Sequence, residues 1–125
     1  MNACSVGSIH IPLALAHNVY LLPVFCYRSV RISLNANRLF EHGWGYVPKQ
    51  FLHLPLTAGR NALEFEARFD PVEVLPLLTP TCRFVAHLAW GNKGVQVLHN
   101  LTVDEPDPCH PTDTFWKRYT FEIGT

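Results

Sequence analysis

The sequence predicts an all-β fold: an antiparallel β-sandwich or jelly roll of about eight short strands, in one domain covering residues 1–125. Three observations carry this. Apolar residues recur at every second position in several runs. Ten Pro and seven Gly are spread along the chain, so few windows could hold three turns of helix. Clusters of turn-forming residues separate the runs.

The runs follow in order. Residues 9–26 are largely apolar, but His10, Pro12, His17, Asn18 and Pro23 break the stretch. It is too polar to span a bilayer, and no basic segment precedes it as in a secretory leader. It reads as two buried strands with a turn at His17 and Asn18. Val30, Ile32 and Leu34 alternate with Arg31, Ser33 and Asn35. Leu52, Leu54 and Leu56 alternate around His53 and Pro55. Leu63, Phe65, Ala67 and Phe69 alternate with Glu64, Glu66 and Arg68. On a helix those three charges would spread around the barrel; on a strand they share one face. Phe84, Ala86, Leu88 and Trp90 follow, then Val95, Val97, His99, Leu101 and Val103. Between them, residues 91–94 (Gly-Asn-Lys-Gly) form a hairpin signal. The last row is Phe115, Tyr119, Phe121 and Ile123, with Lys117 interrupting it. Residues 40–50 and 104–114 are expected as loops, where function often resides.

Composition narrows the function classes. Apolar residues are 48% and charged residues 16%, the opposite of a disordered chain. Ten basic residues balance ten acidic ones, so nothing supplies the surplus that nucleic acid or an anionic membrane would attract. Zero net charge also leaves little repulsion against self-association.

The four Cys form no CxxC, and with no leader they are expected as reduced, buried thiols in a cytoplasmic setting. Residues 100–102 (Asn-Leu-Thr) match a glycosylation triplet, which matters only in a secreted chain. His87 and His99 flank the 91–94 turn, and Cys109 precedes His110, but neither pair names a third ligand. Neither a metal nor a cofactor is expected. Glu64 and Glu66 lie about 7 Å apart on one strand face, beside Arg68. They read as a solvated row, not as the facing acids of a glycosidase. No nucleophile motif is present.

Two aromatic groups are the candidates for contacts. His42, Trp44 and Tyr46 share the Gly-containing loop. Offered to solvent, such rings stack on a sugar or anchor a protein partner; folded inward, they plug one end of the sandwich. Trp90 is expected in the core or at a sheet edge. Phe115 and Trp116 are neighbours, so they point to opposite faces of a strand and one is left for an interface.

The segment V-R-I-S-L-N-A-N-R-L-F-E-H-G-W-G-Y-V-P, with L-P-L-T-A-G-R-N-A-L-E-F-E-A-R-F after it, covers residues 30–69. It resembles the middle of galactose-binding-like jelly-roll domains that accompany glycoside hydrolases. Asn35, His42, Gly45, Tyr46, Gly59 and Asn61 stand at the matching places, although the Asn-Ala-Asn turn lacks the Gly usual there. The resemblance implies a jelly roll with an accessory role. The expected function is a non-catalytic binding module, with carbohydrate as ligand through His42, Trp44 and Tyr46. The alternative is a structural or protein-interaction subunit of a homo-oligomer or larger assembly, joined around Phe115 and Trp116.

Overall fold

A computed structural model describes residues 4–26, 29–43, 45–68, 83–92, 95–104, 109 and 116–125. Among them, ten strands run in chain order: β1 (Cys4–His10), β2 (Val19–Cys26), β3 (Ser29–Leu34), β4 (Asn37–His42), β5 (Gly45–Tyr46), β6 (Leu52–His53), β7 (Arg60–Arg68), β8 (Arg83–Asn92), β9 (Val95–Asp104) and β10 (Trp116–Gly124). Among the described residues, one 3-10 turn is present, at Leu13–Leu15.

The strands form two packed sheets. The first has the order β1-β10-β7-β3-β4; the second runs β5-β2-β8-β9, with β6 also pairing β2. All pairings are antiparallel except β1 with β10. This is the β-sandwich that the alternating pattern predicts. The predicted inward rows bury almost completely: Val30, Ile32 and Leu34 on β3, Leu63, Phe65 and Ala67 on β7, Phe84, Ala86 and Leu88 on β8, and Tyr119, Phe121 and Ile123 on β10. The Phe65 ring lies 4.7 Å from Phe84 on the opposite sheet and 5.4 Å from Tyr119 beside it. Lys117 keeps its place in the inward row and is only 1% exposed.

The charged faces also follow the pattern. Glu64 and Glu66 turn outward and meet Arg118 and Arg31 across neighbouring strands. These pairs are half exposed, so each adds at most about 1 kcal/mol.

Several expectations are corrected. Residues 40–42 are strand, not loop, because β4 continues a hairpin from β3. Its two-residue turn is Asn35 and Ala36, both with positive φ (48° and 69°), as a type I′ turn requires. Residues 52–56 are a strand only at Leu52–His53; beyond it, Leu56 N–H bonds back to Leu54 O at 2.9 Å, which ends the extended run. The first strand starts earlier than the apolar stretch and is mostly exposed, since β1 is a sheet edge. A bulge between Ser5 and Gly7 adjusts it to β10. Gly7 adopts φ +140°, and a Cβ there would stand 3.2 Å from Phe121, so the position needs glycine.

The cysteines divide. Cys4 and Cys109 form a disulfide with Cα atoms 5.8 Å apart, which overturns the expectation of reduced thiols for this pair. The bond ties an edge strand to the segment that precedes β10. It closes a loop of 105 residues, which stabilises by about 2–4 kcal/mol through the unfolded state. Cys26 is a buried thiol, as expected. Cys82 lies outside the described residues.

One side chain fastens the turn before β7, the tip of the β3–β4 hairpin and the end of β10. Asn61 Oδ1 accepts from Thr57 N–H (2.8 Å), Thr57 Oγ1 (3.1 Å) and Asn35 Nδ2 (3.0 Å). Its Nδ2 donates to Thr57 O (2.9 Å) and Ile123 O (3.1 Å). Asn35 Oδ1 in turn accepts from Ala62 N–H at 2.9 Å.

Two stability outcomes follow. Asn61→Ala strands these partners in a buried site and should cost about 2–4 kcal/mol in urea unfolding. Ala36→Gly should instead stabilise by about 0.5–1 kcal/mol, since glycine removes the Cβ penalty at positive φ. An unchanged or lower midpoint for the glycine variant would refute the turn strain.

Candidate functional site

The predicted loop site does not assemble as expected. His42 lies at the end of β4, half-buried, with its ring stacked at 6.2 Å on Phe40. Phe40 itself packs against the core. These two rings therefore belong to the inward arrangement. Trp44 lies outside the described residues. Tyr46 is placed by its backbone alone, in β5 opposite Phe25.

The interface candidates divide similarly. Phe115 lies outside the described residues. Trp116 faces outward at the start of β10, as alternation requires. It is half-buried, and the Arg31 guanidinium carbon stands 4.2 Å over its ring. This cation–π cover occupies the face that a partner would use.

The histidine pair does not meet. The β8–β9 register sets His87 opposite Asn100, and His99 opposite Leu88. His87 and His99 thus fall on opposite faces of the sheet. His87 Nδ1 bonds Asn100 Oδ1 at 2.7 Å, while the His99 ring packs 5.3 Å from Phe121 in the interior. Trp90 is half-buried against the core, as expected. Among the described residues, no group of three or more His, Cys, Asp or Glu could hold a metal. No helix among them is long and apolar enough to cross a membrane.

Among the described residues, a groove lies on the outer face of the second sheet. Registers place Tyr20, Ala89 and Leu98 in one row across β2, β8 and β9. Leu22, His87 and Asn100 form the next row. Gly91 and Gln96 pair on the other side of the first row. The chain between β5 and β6 runs beside β2, because both short strands pair with it, at Phe25–Cys26 and Tyr20–Leu21 respectively. That segment contributes Lys49 and Phe51 as a wall. Together they bound an open groove of about 880 Å³, within the range of ligand sites.

The groove has a definite chemical character. Phe51 is 58% exposed and meets Tyr20 edge to face, with centroids 6.4 Å apart at 90°. Tyr20 is fixed from its other side by His53, at 5.4 Å. His53 Nε2 donates to the His17 carbonyl at 2.9 Å, so the supporting ring is itself held. Leu98 is 66% exposed on the floor. Asn18, Gln96 and Lys49 supply polar groups, and no acidic residue is among the described residues that line the groove. Large apolar surface left open beside polar groups marks a contact site.

Sequence reasoning missed these residues, although a signal was present. Tyr20, Leu22 and Leu98 are apolar residues standing out of phase with their inward neighbours. A strand apolar on both phases needs cover on both sides, and this sheet has none over its outer face among the described residues.

No protein family, no curated protein and no solved structure matches this chain.

Proposed function

We propose that this chain is a non-catalytic binding domain that takes a carbohydrate on the outer face of its second sheet. The observation that supports it most is the open aromatic corner of Tyr20 and Phe51, facing amide side chains across a groove. A sugar ring offers a flat C–H face, which stacks on an aromatic ring, and a rim of hydroxyls, which bond to amides and ammonium groups. With Lys49 present and no acid among the described lining residues, the groove suits a neutral or acidic saccharide and disfavours a cationic ligand. The expected loop, residues 40–50, still takes part, through Lys49 at its far end. The Cys4–Cys109 disulfide supports an oxidising compartment over the cytoplasm.

A panel of neutral and acidic oligosaccharides measured by calorimetry tests this. Binding should weaken at least about tenfold in Phe51→Ala, the scale of a hot-spot aromatic. Stability should change by less than about 0.5 kcal/mol, since Phe51 is largely exposed. If no saccharide binds the native chain, the ligand assignment fails.

A further inference from the structure

β9 closes one side of the second sheet: it pairs with β8 along its length and, among the described residues, with no other strand. Such an edge presents a row of N–H and C=O groups, which proteins usually guard with Lys, Glu, Pro or a bulge. None of these guards β9. Its sequence, VQVLHNLTVD, contains no Pro and a single charge, Asp104, at its end. Its ladder to β8 runs without a register shift. Leu98 is 66% exposed on the outer face, and Val97 is 43% exposed on the other.

We propose that a second copy of this chain pairs with β9, antiparallel, in a register centred on Leu98. Charge argues for this occupant. The paired stretch is uncharged and the whole chain is neutral, so two copies meet without like-charge repulsion. Chemistry selects the register. Outer residues must face outer residues if the two sheets are to be continuous. Centring on Leu98 sets it against the partner's Leu98 and Gln96 against the partner's Asn100, so Leu meets Leu and amide meets amide. Centring on His99 would set that ring against its own image. Centring on Asn100 would set Gln96 against the partner's Asp104 and Leu98 against the partner's Thr102, leaving the leucine unmatched. The contact is isologous and closes as a dimer. It merges the two second sheets into one and brings both grooves to the same face, meeting at the leucine pair. With saccharide in the groove, as proposed above, one glycan chain can engage both copies and gain avidity.

Sedimentation equilibrium of the full chain without ligand tests the pairing. The expected result is a concentration-dependent mass rising from one chain toward two. Val97→Lys, a substitution outside the groove lining, should raise the dimer Kd at least about tenfold by guarding the edge. Hydrogen exchange on the native chain removes any dependence on that variant's folding. Alternate β9 amides should gain protection as concentration rises, while those of β4, another edge, should not. A strict monomer at about 1 mM, enough to populate even a dimer with Kd 1 mM, overturns the proposal. So does a dimer whose β9 amides stay unprotected. Because mass and exchange are read without ligand, their failure leaves the groove assignment standing, and absent sugar binding leaves the pairing standing.

Discussion

The structure depends on the closure of two sheets over one row of aromatic rings. Phe65 stands in the middle strand of the first sheet and meets Phe84 from the second at 4.7 Å, with Tyr119 stacked beside it. Each of these side chains is buried to within 2% of complete. Rings of this size dominate the area removed from water. Once they face inward, strict alternation sends every neighbour outward, and the character of both outer surfaces is decided. The first sheet shows Arg and Glu in mutual contact. The second shows Tyr, Leu and amides, and it is this unequal treatment of two equivalent surfaces that gives the molecule a preferred side.

Polar atoms hold the ends that the rings cannot reach. Asn61 is buried yet spends its amide on the turn before β7, the tip of the β3–β4 hairpin and the last strand. A buried amide is tolerable only when its lone pairs and protons are matched, and here the matching joins segments distant in sequence. Lys117 is the more unusual inward residue, an ammonium-bearing chain within an otherwise apolar row. The row stays in phase around it because shifting by one position would turn Tyr119, Phe121 and Ile123 to water.

The long strands were legible because their pattern is local. β7, β8, β9 and β10 each carry three or more inward apolar residues in phase among the described residues, and each strand lies where the alternation places it. The β4 strand was not legible, since Asn37–His42 has no clean period and exists through pairing with β3. The same limit explains the site. The local sequence places His42 in a loop, whereas its ring stacks on Phe40 within the sheet. Phe51, Tyr20 and Leu98 escaped notice because a continuous apolar run does not say which residues face the core. That distinction arises only when a second layer covers one face and none covers the other. The disulfide was hidden for a related reason: spacing in sequence carries no information about which strand edge approaches which loop.

The parallel pairing of β1 with β10 has a consequence for the order of assembly. Cys4 lies opposite Tyr119, and His10 opposite Gly124, so among the described residues β1 meets its partner strand only after the intervening strands have been made. At about 5–20 residues per second, that is a wait of several seconds. Contacts between such remote segments are also the slowest to close. During that interval the β7 border that β10 will later occupy is open as well. The β1–β10 ladder, which joins segments remote in sequence, is therefore among the slowest parts of the first sheet to close.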